Sequence, residues 1–213
     1  MRSVHRLLFR LHRRHRLWWA AFVVVALTAL LLRQLGHYAP EAHGTLRLLY
    51  AIVSGMVLIP PFFEWFVDDR ERLCYRLWGV DLAEVLRRKS RVLLHQQGLL
   101  ALAVLVCWTA LHPTTRGADL IRLAALTVAT LGSGPVVGLA VYPGVRRWLM
   151  QAPMVAGFIG GGAQLLVLGL GLLGYLQPLL APLLLGLCWH YGRRTFTRTA
   201  RALDQMELRI ERL

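Results

Sequence analysis

The side chains in this chain with the types and spacing to do chemistry lie inside or beside long apolar stretches. Glu64 stands in the run Pro60-Pro61-Phe62-Phe63-Glu64-Trp65-Phe66 and is a carboxylate well inside such a stretch. A carboxylate within a membrane is expensive and is normally paired or functional. Glu64 therefore either sits at headgroup depth beside an Arg, the less costly reading, or relays an ion. His95, Gln96 and Gln97 form a second polar cluster. Their amides and imidazole suit hydrogen bonds between helices, or a substrate site. Ser133 and His190 are a nucleophile and a base of the kind a hydrolase needs, if they come within hydrogen-bond distance. Cys74, Cys107 and Cys188 show no metal-type spacing and no even pairing, so packing is their reading. H-E-x-x-H, C-x-x-C and G-x-x-x-x-G-K-[ST] are all missing, which leaves the sequence without a zincin, thiol-redox or nucleotide-phosphate motif.

The elements that must position these groups are apolar helices. A bilayer's hydrocarbon layer is ~30 Å thick and needs roughly 20 apolar residues per crossing. The stretches 17–35, 48–67, 92–112 and 123–142 each fit one crossing. The last, 154–191, is 38 residues, about 57 Å as helix and enough for two short crossings with a turn. Arg clusters occupy residues 2–16, 70–91, 146–147 and 193–201, and the other gaps are poor in charge. The positive-inside rule makes the Arg-rich gaps cytoplasmic. The expectation is an all-α polytopic membrane protein with six transmembrane helices, both termini cytoplasmic, in a bacterial cytoplasmic (inner) membrane. Ser133 is then expected near mid-membrane and His190 at a cytoplasmic end, which keeps that pair apart.

The composition agrees. The 213 residues are 56% hydrophobic with mean hydropathy +0.50, which reads as a single membrane domain with no soluble catalytic domain. The net charge of +14 lies at membrane edges, where anionic headgroups account for it without nucleic acid. One Lys, no Asn and abundant Leu, Ala, Arg and Gly are the usage of a GC-rich bacterial genome.

Residues 1–16 read as an interfacial amphipathic helix, with Val4, Leu7, Leu8 and Leu11 at helical spacing among Arg residues. The cytoplasmic segment 68–91 reads as a short amphipathic helix (68–78), a turn at Gly79–Val80, and a helix running into the third span. Asp81 with Glu84 three residues on is a capping box that starts this second helix. Leu73, Leu77 and Trp78 give the first helix an apolar face, for a soluble partner or for the bundle itself. In the fifth span Gly157, Gly160, Gly161 and Gly162 suggest close helix packing or a hinge, and Gly134/Gly138 have the same small-xxx-small spacing. The residues 192–213 alternate charged and apolar side chains as a cytoplasmic tail helix.

Residues 64–89, EWFVDDRERLCYRLWGVDLAEVLRRK, resemble the permease subunits of ABC exporters of the type-2 export family. That family carries an acid at the end of span two, a short coupling helix, a turn, and a capped helix reaching a Lys. Glu64 or Asp68/Asp69 match the acid, Leu73–Trp78 the coupling helix, Gly79-Val80-Asp81 the turn and cap, and Lys89 the Lys. The family usually has an early Gly in the coupling segment and a Pro where Gly79 stands. In size the chain is most similar to the permeases of cytochrome c haem-maturation exporters. The resemblance implies no catalysis and no cofactor on this chain, with ATP and Mg on a separate ABC ATPase subunit. It also implies a second permease copy or paralogue, with coupling through Asp68, Asp69, Leu73, Leu77, Trp78, Asp81 and Lys89. Two other readings stand beside it. One is a non-transport membrane scaffold recruiting a cytoplasmic partner. The other is an intramembrane hydrolase like the rhomboid proteases, although residues 131–134 read L-G-S-G where those enzymes have G-x-S-G.

Overall fold

The computed structural model describes residues 16–38, 40–59, 75, 77–112, 117–149 and 151–205. Among them are six α-helices and no strand: α1 Arg16–Tyr38, α2 His43–Leu58, α3 Leu82–Leu111, α4 Gly117–Leu149, α5 Pro153–Leu176 and α6 Leu180–Gln205. A 3-10 turn, Pro40–Ala42, joins α1 to α2. Four helices are long and apolar enough to cross a membrane, namely Trp19–Tyr38 within α1, then α3, α4 and α5. Four such helices mark the chain as a membrane protein, because a helix satisfies its own backbone polar groups in lipid. The expected interfacial helix, the residues Glu64, Asp68, Asp69 and Leu73, and the far end of the second span lie outside the described residues.

Several boundaries differ from expectation. α1 runs on to Tyr38 and α2 starts at His43. As expected, by contrast, the charged lead-in and the third span are one continuous helix, α3, of 30 residues. The last apolar stretch divides unequally. Its turn falls at Gln177–Leu179, where Pro178 supplies no amide hydrogen and the Leu180 N–H bonds back to the Gln177 carbonyl at 2.9 Å. α5 thus takes 24 residues, and α6 is apolar only up to Arg193. No separate tail helix begins at 192. α6 continues to Gln205 because a buried stripe of Gly192, Thr199, Ala200 and Leu203 keeps packing while Arg193, Arg194, Arg198 and Arg201 face outward.

Two prolines lie within α4, Pro135 and Pro143. A helical proline removes the hydrogen bond to the carbonyl four residues back. For Pro143 that carbonyl belongs to Leu139, and the Thr199 hydroxyl of α6 donates to it at 2.8 Å. A side chain from the neighbouring helix thus fills the gap that the proline leaves.

The helices group as two triplets. α1 packs on α2 and α3, while α4 lies against α5 on one side and α6 on the other. Gly171 and Gly174 let α5 approach α4 closely. A Cβ on Gly174 would come within 2.9 Å of the Ala125 carbonyl oxygen and 3.0 Å of the Ala129 Cβ. The glycines expected to pack, Gly157, Gly160, Gly161 and Gly162, are different. A methyl group added at any of them would meet nothing within 4 Å among the described residues. α5 is also an unbroken helix through them. Close approach needs small residues on both surfaces, and Ala125 and Ala129 stand opposite the far end of α5.

Candidate functional site: the α3 lead-in and the seam between triplets

The segment before α3 is shaped by local rules. Gly79 adopts φ +62°, the left-handed conformation that glycine takes without strain. The Val80 N–H donates to the Tyr75 carbonyl at 2.9 Å, the long bond of a glycine-terminated helix end. Asp81 then caps α3, its Oδ1 accepting from the Ala83 N–H at 3.0 Å. Only half of the expected capping box forms. Glu84 pairs instead with Arg88 at 2.8 Å and with Arg87 at 3.7 Å. These residues precede the apolar part of α3, and the Arg88 guanidinium holds the Glu84 carboxyl below the usual carboxylate range.

Around this turn the apolar residues divide. Tyr75 packs inward on a cluster formed by Leu82, Ala83, Val85 and Leu86 of α3 with Leu139 of α4 and Ala200 and Leu203 of α6. Leu77 and Trp78 point away, 75% and 73% exposed. Lys89, one turn further along α3, is buried.

The His95 cluster divides too. His95 is exposed, with its Nδ1 2.8 Å from the Arg91 carbonyl oxygen. Gln96 and Gln97 are buried near the midpoint of the whole helix α3, about one turn past the start of its apolar part. Both polar atoms of the Gln97 amide and the Gln96 Oε1 find no hydrogen-bond partner among the described residues. The hydroxyl of Thr130 on α4 is enclosed and finds no hydrogen-bond partner among the described residues either, while the Ser54 hydroxyl of α2 lies beside that of Tyr50. The sequence gives no signal of these two, since a lone Ser or Thr in an apolar helix normally bonds its own backbone.

At the end of the bundle away from the Arg clusters, Arg47 of α2 pairs with buried Asp119 in the first turn of α4, at 2.9 Å. Nearby, the Tyr50 hydroxyl donates to the Val104 carbonyl at 2.8 Å. The Tyr50 ring meets Trp108, which stacks in turn on His112 with centroids 4.0 Å apart. Charge-poor gaps in the sequence carry no signal of this arrangement.

No family model, curated protein or solved structure matches this chain. Its chemistry therefore rests on its own geometry.

Ser133 and His190 do not assemble into a dyad, though not for the expected reason. Contacts of Gly132 with Leu185 and of Val136 with Gly192 set α4 and α6 parallel, with His190 at about the depth of Pro135. What separates the pair is direction. Ser133 is buried and donates to the Ala129 carbonyl at 2.7 Å, while His190 is exposed with its ring edge-on to Tyr191. Among the described residues no group of three or more His, Cys, Asp or Glu side chains is placed to hold a metal ion.

Proposed function

We propose that this chain is the membrane-spanning permease subunit of an ATP-driven ABC exporter, worked by a separate ATPase subunit that holds the ATP and Mg. The observation that carries the reading is the pair Leu77 and Trp78, exposed at the head of a span and followed at once by a glycine turn and a capped helix. Large apolar side chains exposed beyond the apolar part of a membrane helix are suited to a partner surface. Trp is also the residue type that most often anchors such contacts.

The coupling would run through α3. This helix is 30 residues long without a break, so a push at its Asp81 end tilts a rod of about 45 Å. Gly79 is the pivot, and the cluster of Leu86, Leu139 and Leu203 passes the motion to α4 and α6. Nucleotide bound by the partner would favour whichever arrangement fits its closed form better. A second permease copy or paralogue would complete the path, in the inner membrane of a bacterium with both termini cytoplasmic.

Trp78→Asp tests this by placing a charge in an apolar contact. The permease should still insert in the membrane but lose co-purification with its ATPase subunit. Unchanged co-purification would remove Leu77 and Trp78 from the interface. A scaffold is told apart by reconstitution, because only a permease raises the ATPase's turnover in vesicles.

A further inference from the structure

We infer that the outward ridge of α6, from Leu183 to Arg201, is a binding surface for a phospholipid with an anionic headgroup. The surface stands on α6 alone and is independent of any transport role.

The ridge consists of Leu183, Leu187, Tyr191, Arg194, Arg198 and Arg201, spaced by three or four residues along one unbroken helix. At 3.6 residues per turn they fall within an arc of about 80°. The buried stripe of Gly192, Thr199, Ala200 and Leu203 occupies the opposite side of the helix and fixes which way the ridge faces. Leu183, Leu187 and Tyr191 are exposed, as are all three arginines. One face therefore changes along its length from apolar, through an aromatic, to basic. That is the order of chain, interface and headgroup in a lipid, and tyrosine and tryptophan favour the middle level. Trp189 and Tyr191 both stand at the change, and the Arg193 guanidinium reaches back to 5.9 Å from the centroid of the Trp189 ring. From Leu183 to Arg201 the ridge is about 27 Å long. A single leaflet with its headgroups is roughly 20–22 Å thick, so one lipid fits lengthwise.

Charge selects the headgroup. From Leu180 to Ala202 the helix contains no Asp or Glu. Among the described residues none of Arg193, Arg194, Arg198 and Arg201 has an ion-pair partner. Four uncompensated guanidinium groups thus stand just beyond an apolar, membrane-suited face. Basic residues so placed attract anionic lipid, and the guanidinium fork matches the oxygens of a phosphate. An acidic soluble protein would match only the basic end of the ridge, leaving Leu183 and Leu187 without a counterpart. A zwitterionic lipid would match the apolar end but leave the arginines with excess charge.

The test uses the full chain in detergent micelles, with phosphatidylglycerol or phosphatidylcholine of identical acyl chains as the probe. Phosphatidylglycerol should raise the melting temperature by at least about 4 °C more than phosphatidylcholine, as a ligand of the folded state does. Arg194→Gln/Arg198→Gln/Arg201→Gln should lose at least half of that difference, while Arg194→Lys/Arg198→Lys/Arg201→Lys should keep most of it. Equal shifts from the two lipids overturn the proposal, as does a full shift in the Gln variant. Glycerol phosphate, which carries the charge without the chains, should give no shift. A shift as large as the lipid's would overturn the proposal by making the face a site for free anions. A second measurement leaves the arginines untouched and decides the matter if the Gln variant fails to fold. Leu187→Cys, in a chain with Cys74, Cys107 and Cys188 replaced by Ala, carries a bimane label in vesicles of equal parts phosphatidylglycerol and phosphatidylcholine. Bromine on the phosphatidylglycerol chains should quench the label at least about twofold more than bromine on the phosphatidylcholine chains. Equal quenching by the two overturns the selection of anionic lipid.

Discussion

Arg47 reaches across the seam so that its Nη1 lies 3.0 Å from Oδ1 and 2.9 Å from Oδ2 of Asp119, a cation astride one carboxylate. The burden is unequal, for the Asp119 side chain is 6% exposed and that of Arg47 is 32% exposed. Removing the more exposed partner strands the more buried charge. Arg47→Ala should therefore destabilise the protein more than Asp119→Ala, each by roughly 1–3 kcal/mol. The double variant should cost less than the sum. Thermal melts of the three purified variants check this, and strict additivity would mean that the pair contributes nothing.

Thr199, Leu139 and Pro143 make a second closed test. In the natural chain Thr199→Val leaves the Leu139 carbonyl without its side-chain donor, at a cost of about 1–3 kcal/mol. Pro143→Ala returns a backbone N–H to that carbonyl. In the Pro143→Ala background the cost of Thr199→Val should fall by at least about half. Equal cost in both backgrounds would show that the hydroxyl is not standing in for the missing amide.

The glycines of α5 should divide by position. At Gly174 an added methyl meets the Ala125 carbonyl oxygen and the Ala129 side chain, so Gly174→Ala should cost about 1–3 kcal/mol by overpacking. At Gly161 the same methyl meets nothing among the described residues, and alanine's better helix propensity favours it by up to about 1 kcal/mol. A melt in which Gly161→Ala is the more damaging would place a second chain against that face.

The same contrast separates what is legible in the sequence from what is not. The helices are legible because apolar stretches of roughly 20 residues have few other uses. Asp81 as a cap and Gly79 as the turn are legible because both obey local rules. The close approach of α5 to α4 at Gly174 is not legible, because small residues record the capacity for close approach, while the approach itself depends on Ala125 and Ala129 of another helix. Arg47–Asp119 and Thr199–Leu139 are invisible for the same reason. They join residues 72 and 60 positions apart, with no periodicity to link them. Gln96 and Gln97 stand out at once, but only packing reveals that they lack partners. α6 outruns its apolar composition because a helix held by tertiary contacts continues past the point where that composition ends.

That last helix also bears on the proposed topology. α6 has too few apolar residues before Arg193 to be assigned a crossing by composition alone. Its register against α4 supplies the missing argument. Gly132 meets Leu185, Val136 meets Gly192, and Leu139 meets Thr199, so the two helices descend side by side in the same direction. In the proposed topology this register puts Arg193–Arg201 on the side where Arg146 and Arg147 emerge. A membrane-impermeant thiol reagent applied to single cysteines in a Cys-free chain tests this. Ala42→Cys and Thr115→Cys should label from outside intact cells, while Thr195→Cys and Trp148→Cys should label only after permeabilisation. Labelling of Thr195→Cys but not Trp148→Cys in intact cells would break the parallel register of α4 and α6. Labelling of both from outside would keep that register and reverse the orientation, against the arginine distribution.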